Sequence, residues 1–581
     1  MPSLAVLYDP QADHWLRFCD PVEEIEVSLL KDVLPTLAKI EQRVEQEGLF
    51  AAGYVSYEAA PAFDDALQTH ASKGFPLLRF GLFAKVEQIE LPAASEAVTL
   101  PDWHPQEGAG TFSSKVSEIR EAIARGETYQ VNLTFPLHSS FTQTPWEFFL
   151  QLVHGQQASG AGFLQSERWA ICSVSPELFF SREGKHLTMR PMKGTAPRGR
   201  TLAEDRRLAN ALLESDKNRA ENIMILDMVR NDLGRLAPPG EVKAEKICSL
   251  EKYPTVWQLT STVTACSQAT LAETFQALFP CASITGAPKA QTMQIIKATE
   301  RQPRNIYTGT FGWLAPGQKA RFNVAIRTLL IDRQHKIATY GVGAGITWDS
   351  DSTEEYQECL AKAEVLKQPL SDFALIETLR WTPGKGYFVL PEHLTRLRAS
   401  AEYFDFLFSE KQVVEYLEKL AETFPATPQR VRLLLHKEGH LENTSVPLTA
   451  AATSSPLRIC LAAEPIKTGD IRLYHKTTRR QLYEHHLSEV KDADEVVLWN
   501  ERGEITECCT ANLVLELSGE LLTPPVSSGL LPGTYREHLL ARGVLTEQVL
   551  TADDLHNSSQ IYLINAIRKW RRAVLCSQYK Q

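Results

Sequence analysis

A chain of 581 residues is longer than one ordinary domain and suggests roughly two to four. Its 43% hydrophobic and 23% charged residues are those of a soluble globular protein. A net charge of −10, with a pI near 5.9, argues against a nucleic-acid or anionic-membrane surface, so anionic substrates would need locally concentrated positive charge.

Residues 1 to about 110 mix short strand-like runs with loops, Gly53-Tyr-Val-Ser-Tyr-Glu58 among them. The opening Met1-Pro-Ser-Leu-Ala-Val6 has neither the basic nor the apolar region of a signal peptide, and no apolar run reaches membrane-spanning length. Ile119, Ala122 and Ile123 share one face of a helix predicted over 112–126. Residues 161–190 alternate short strands with turns. One long amphipathic helix is predicted over 202–234 from Leu213, Ile223, Leu226, Val229 and Leu233. A helix opened by Gly286-Ala-Pro288 follows at 287–299, then strands at 306–314, 322–331 and 337–346, and a helix at about 353–366. After a linker at 367–372 the pattern restarts with a strand, Phe373–Arg380, a turn at Pro383-Gly-Lys-Gly386 and a helix after Pro391. What remains is long enough for a second enzyme domain, so the expected division is 1–366 and 373–581. Thr444 to Pro456 reads as a loop. The ten cysteines contain no CxxC pair that would suggest zinc and read as reduced thiols of a cytoplasmic enzyme.

The candidate chemistry of the first part centres on Lys193 in Pro191-Met-Lys-Gly-Thr-Ala-Pro-Arg-Gly199. An isolated lysine–glycine pair is ordinarily a surface turn, but a desolvated lysine is a nucleophile. Glu221 lies on the long predicted helix, and Glu355, Glu358 and Lys362 share one face of the last one. That face could be a solvated salt-bridge surface. Carboxylates from two helices also suit a Mg²⁺ that keeps waters and takes further oxygens from its substrate. Gly341-Val-Gly-Ala-Gly-Ile346 follows a strand and could turn backbone amides toward an anion. Arg327 could pair a carboxylate bidentately, and Tyr307 lies on a neighbouring strand.

Together with Gly126-Glu-Thr-Tyr-Gln-Val-Asn132, Ser175-Pro-Glu-Leu-Phe179, Arg230-Asn-Asp-Leu233 and Ser283-Ile-Thr-Gly-Ala-Pro-Lys289, these segments resemble the chorismate-utilising enzymes. The resemblance is strong over 110–366. It implies a two-sheet α/β sandwich flanked by helices, with the site between the sheets. Glu221 and Glu358, with Glu355 beside them, would hold Mg²⁺. Thr285, Tyr307, Arg327, Gly343, Gly345 and Lys362 would hold chorismate. A lysine at position 193 is similar to aminodeoxychorismate synthases, in which the amine attacks C2 as the C4 hydroxyl leaves and ammonia then displaces it. Two positions depart from the pattern. Gln258 stands where the family often has a histidine, leaving the proton donor unassigned, and Asn218 stands where a further glutamate is common.

In the second part, a lysine at a strand end can form a Schiff base, a carboxylate can hold a protonated pyridine nitrogen, and a Gly-Thr pair opening a helix can bind phosphate. Each has a plain structural alternative. The set His393-Leu-Thr-Arg396, Tyr474-His-Lys476, Ile505-Thr-Glu507, Thr510-Ala-Asn512 and Pro532-Gly-Thr534 resembles the fold-type IV pyridoxal 5′-phosphate enzymes, a two-subdomain fold, over about 373–570. The resemblance implies Lys476 as the Schiff-base lysine and Glu507 as the pyridinium partner. Arg396, Gly533 and Thr534 would bind the phosphate, and Thr510 and Asn512 would support the cofactor edge.

The two resemblances together imply a synthase–lyase for 4-aminobenzoate, a folate precursor. The expected ammonia source is a separate glutamine amidotransferase subunit, since no glutaminase motif is visible, and pairing of two chains would run through the second domain. Anthranilate or isochorismate synthase joined to an aminotransferase, or a synthase carrying an inactive interaction module, are the alternatives.

Overall fold

The computed structural model describes residues 4–94, 101–156, 158–366, 373–449, 455–490 and 492–576. The expected linker at 367–372 lies outside them. The chain forms two compact units, Met1–Pro197 with Ala209–Asp372, and Arg198–Leu208 with Phe373–Gln581.

Two ten-stranded, largely antiparallel sheets make the first unit. Leu7, Ile171 and Leu330 of one sheet pack with Tyr54, Phe83 and Phe311 of the other, so the sheets face each other across a shared apolar layer. The helices Ala109–Ala124, Pro145–Gln156 and Ser352–Ala363 cover the outer face of the first sheet through Phe112, Phe149 and Tyr356. The helices Leu30–Glu47, Asp216–Gly234 and Leu271–Leu278 cover the second through Leu37, Val229 and Phe275.

Two expected elements are broken. The long helix over 202–234 is two, Leu202–Glu214 and Asp216–Gly234. Ser215 caps the second, its side chain accepting from the Asn218 N–H at 3.3 Å. Leu226, Val229 and Leu233 are buried, whereas Leu213 and Ile223 are 40% and 42% exposed, so the five do not form one stripe. The strand expected over 322–331 is also two, Lys319–Val324 and Thr328–Asp332, and they belong to different sheets. The chain changes sheets at Arg327, whose φ of +48° ends the extended run.

The second unit contains a four-stranded and an eight-stranded sheet. Helices Leu390–Phe404 and Glu410–Glu422 pack Leu397 and Leu417 against Leu379 and Val431 of the smaller sheet. The larger sheet is built around Ile459, Val497, Leu513 and Leu563. Part of the loop expected from Thr444 is strand: Leu441–Pro447 pairs with Gln429–Leu435. Residues 450–454 of that loop lie outside the described residues.

Candidate functional site

In the first unit the site is laid along one strand. Gly341, Gly343 and Gly345 alternate along Ile337–Ile346, so all three bare the same face, while Val342, Ala344 and Ile346 point into the core. The run lies inside the strand expected over 337–346 rather than after it, paired through Gly343↔Thr134 and Gly345↔Asn132 with Gln130–Ser140. A Cβ at Gly341 would collide with the Tyr307 ring, and one at Gly343 would come within 2.7 Å of Thr134 Cγ2. At Gly345 it would collide with the Gln130 amide and reach 2.9 Å from Lys193 Nζ. Only bare backbone leaves room for the amine there.

Lys193 sits on Met192–Pro197, which pairs with Val256–Cys266. Among the described residues its amine has no hydrogen-bond or ion-pair partner. Burial holds its pKa below the ordinary lysine value; Glu221 opposes this, the charge of Lys362 adds to it, and Glu177 and Glu358 oppose it again. Four of these five charged groups were expected from sequence.

Glu177 was not. It is 3% exposed, accepts from Ser283 Oγ at 2.5 Å, and is pushed up to about 7 by burial, which the Ser283 hydrogen bond and the Lys193 charge only partly offset. It is a carboxyl poised to give a proton near neutrality. Its signal was the Ser175-Pro-Glu motif, whose burial was not visible. Gln130 was also missed: it is 2% exposed, and neither its Oε1 nor its Nε2 has a partner among the described residues. Gln258 accepts from Thr195 Oγ1 at 3.0 Å.

Glu358 pairs with Lys362 at 2.7 Å, and Lys362 also donates to Gly343 O at 2.8 Å. Burial would raise Glu358, but Lys362 brings it below the usual carboxylate value. Glu355 accepts from Ser350 Oγ at 2.8 Å and is raised by burial and by Glu358. Among the described residues Glu221 has no hydrogen-bond or ion-pair partner, and no three His, Cys, Asp or Glu side chains gather into a closed metal cage. Glu221, without a partner among the described residues, and Glu355, raised beside Glu358, offer carboxylate oxygens that fit a Mg²⁺ completed by water and substrate oxygens.

Tyr307 is half-buried beside Gly341, in the turn before Thr310–Ala315 and not on a strand as expected. The Arg327 guanidinium has no ion-pair partner among the described residues, and burial lowers its pKa. Thr285 is fully buried and turns its hydroxyl to Cys281 O, 3.1 Å away; its carbonyl accepts from Asn132 N at 2.8 Å.

A second lysine site lies within the second unit. Burial and the nearby Arg396 bring Lys476 down to about 7, with Glu377 opposing and Arg480 adding. Its amine has no partner among the described residues. Glu507 is 4% exposed and is pushed up to about 7 by burial. It accepts from Tyr483 OH at 2.9 Å, Leu531 N at 3.0 Å and Asn512 Nδ2 at 3.2 Å, which leaves a lone-pair position for one more donor. Arg396 donates to Glu377 at 2.9 and 2.6 Å and to Pro532 O at 3.1 Å. His393 lies 2.5 Å from Glu377 and 3.3 Å from Thr534 Oγ1. Gly533 caps the helix Thr534–Ala541, and a Cβ there would collide with Asn512 Oδ1. The Thr510 hydroxyl donates to Glu495. An unpaired desolvated lysine, a carboxyl with one open position and a helix N-terminus beside an arginine fit pyridoxal phosphate.

The profile described as "chorismate binding enzyme" matches residues 5–368, well over half of the chain. The chain belongs to the chorismate binding enzyme family. Residues 374–576 of this family member match the profile "Amino-transferase class IV". "Aminodeoxychorismate synthase component 1" of Escherichia coli K12 is 38% identical over 270 residues, which is 46% of this chain and 59% of that protein. The protein of the same name from Bacillus subtilis 168 is 36% identical over 45% of this chain and 55% of its own length. The match thus spans less than two thirds of these relatives. "Anthranilate synthase component 1 3" of Haloarcula marismortui is 29% identical over 60% of this chain and 81% of that protein. The crystal structure of anthranilate synthase component I from Streptococcus pneumoniae TIGR4 shares the first unit's fold, with a TM-score of 0.54 and 24% identity over 63% of this chain and 92% of that one. Among the described residues no helix is long and apolar enough to cross a membrane.

Proposed function

We propose that the chain converts chorismate to 4-aminobenzoate in two steps, one per unit. The observation that carries this is the pair of desolvated lysines whose amines have no hydrogen-bond or ion-pair partner among the described residues, Lys193 facing the glycine-bared strand and Lys476 beside Arg396. Glu221 and Glu358, with Glu355, would hold Mg²⁺, which when bound neutralises a substrate carboxylate and assists loss of a hydroxyl. Arg327, Tyr307, Lys362 and the backbone at Gly343 and Gly345 orient the substrate.

The Lys193 amine attacks C2 of chorismate, both conjugated ring double bonds shift toward C4, and the C4 hydroxyl leaves as water with a proton from Glu177. Ammonia then attacks C4, both double bonds shift back, and the lysine departs as the free amine while the new ammonium at C4 gives up a proton, giving 4-amino-4-deoxychorismate. Glu177 takes the place in the scheme that Gln258 cannot fill. A separate glutamine amidotransferase subunit supplies the ammonia.

In the second unit Arg396, Gly533 and Thr534 would hold the phosphate of pyridoxal phosphate, and Glu507 would hold its ring nitrogen. When bound, the cofactor supplies an electron sink for a carbanion. Lys476 moves the proton from the ring carbon that bears the amine, and pyruvate leaves as the ring becomes aromatic. The test is incubation of the purified chain with chorismate, ammonium, Mg²⁺ and pyridoxal phosphate, with products identified by mass and chromatography. 4-Aminobenzoate and pyruvate are expected. The similarity to anthranilate synthase component 1 supports a second reading, in which 2-aminobenzoate would be the product.

A further inference from the structure

The residues proposed to hold chorismate include Thr285, Tyr307 and the glycines of Ile337–Ile346, which come from separate segments, and the strand Gln130–Ser140 is paired to those glycines. One buried ion pair touches most of these segments. Glu300 and Arg304 are 7% and 8% exposed and four residues apart, just past the helix Lys289–Thr299. Glu300 Oε1 accepts from the Thr134 N–H and the Thr134 hydroxyl, both at 2.9 Å, and from Arg304 Nη2 at 2.7 Å. Arg304 Nε donates to Glu300 Oε2 at 2.9 Å. The other guanidinium donors reach outward: Nη2 to Asn132 O at 2.7 Å, Nη1 to Ile284 O at 3.2 Å and to Thr308 Oγ1 at 3.3 Å. Thr308 in turn donates to Tyr307 O at 2.6 Å and is held at a φ of +60°, costly for a β-branched residue.

Each anchor lies next to a residue of the site. Thr134 and Asn132 are the partners of Gly343 and Gly345. Ile284 precedes Thr285, and Thr308 follows Tyr307. A planar guanidinium presents several fixed donors, which a lysine ammonium cannot reproduce.

We infer that Glu300 and Arg304 are positioning residues for chorismate: resting on the reading of this site as a chorismate site, the pair fixes the Tyr307 turn, the Thr285 turn and the strand facing the glycines in mutual register. Neither residue touches substrate. The pair acts through the segments that do, so its loss should weaken binding more than chemistry.

The experiment measures KM and kcat for chorismate with saturating ammonium, and chorismate affinity without ammonia by calorimetry, on the full chain with Arg304→Lys and Thr308→Val. Thr308→Val keeps the ion pair and the volume and removes only the tie to the Tyr307 turn, so it decides the matter even where Arg304→Lys does not fold. Both variants are expected to raise KM and Kd roughly tenfold while kcat stays within about twofold. An unchanged KM in folded Thr308→Val protein overturns the inference, and so does a lower melting temperature with unchanged KM, which is the signature of a purely structural pair. A wild-type chain that binds no chorismate removes the reading of the site itself. A wild type that binds it, with both variants unchanged, removes the inference alone.

Discussion

Lys193 and Glu177 make opposite demands on pH. In the proposed amination the amine must be unprotonated to attack, and the carboxyl must be protonated to release water. With Glu177 held at about 7, the first reaction should lose rate as pH rises through about 7, and that falling limb should disappear in Glu177→Gln, leaving a residual rate roughly 10²–10⁴ lower. Lys193→Ala should abolish amination altogether, as judged by mass analysis of the products. Glu58 offers a separate test on stability. It is 3% exposed, accepts from Arg304 N at 2.7 Å, and is raised from 4.5 to about 8 by burial. The native state therefore binds this proton more tightly than the unfolded chain does, so its contribution is fullest below about 4.5 and is lost progressively as pH rises to about 8. Glu58→Gln should raise the melting temperature of the first unit more at about pH 8.5 than at about pH 5, read by calorimetry at both.

At the scale of elements, the decisive one is the glycine strand. Gly345→Ala should keep the ladder to Asn132, because alanine suits a strand, but its methyl would lie where the Gln130 amide and Lys193 Nζ meet. A loss of at least about 10²-fold in amination is expected with unchanged circular dichroism, checked beside turnover of added aminodeoxychorismate by the second unit. The strand over 337–346 and its glycine spacing are plain in the sequence; that Tyr307, Gln130 and Lys193 meet its bared face is not, because alternation defines a face and not what packs against it. The lysines, the carboxylate helix and the Gly-Thr helix start were legible because motif spacing fixes them. The breaks at Ser215 and Arg327 were not. The first rests on a single cap bond inside an otherwise helical pattern, and the second on a change of sheet that leaves the apolar run uninterrupted. Glu177 and Gln130 were hidden for another reason: what singles them out is burial, a property of the packed sheets.

For the whole molecule, the two lysines sit in units with separate cores, so their chemistry should separate cleanly. Lys476→Ala should eliminate the visible absorbance that added pyridoxal phosphate gives the wild-type chain. Incubated with chorismate and ammonium, it should accumulate aminodeoxychorismate in place of 4-aminobenzoate, as mass analysis would show. The membership of the second unit carries a consequence for gene architecture. It includes Arg198–Leu208 as well as Phe373–Gln581. Within it Arg198 forms an ion pair with Asp205 at 2.7 Å, donates to Tyr403 O at 2.9 Å and lies over the Tyr403 ring at 4.2 Å, while Arg200 donates to Tyr474 OH at 3.4 Å, two residues before Lys476. A gene fission placed at codon 373 would leave the C-terminal product without one of its own pieces, stranded on the other transcript. Such a fusion is harder to undo than to make: once a descendant relies on the borrowed segment, the two reading frames are inherited as one.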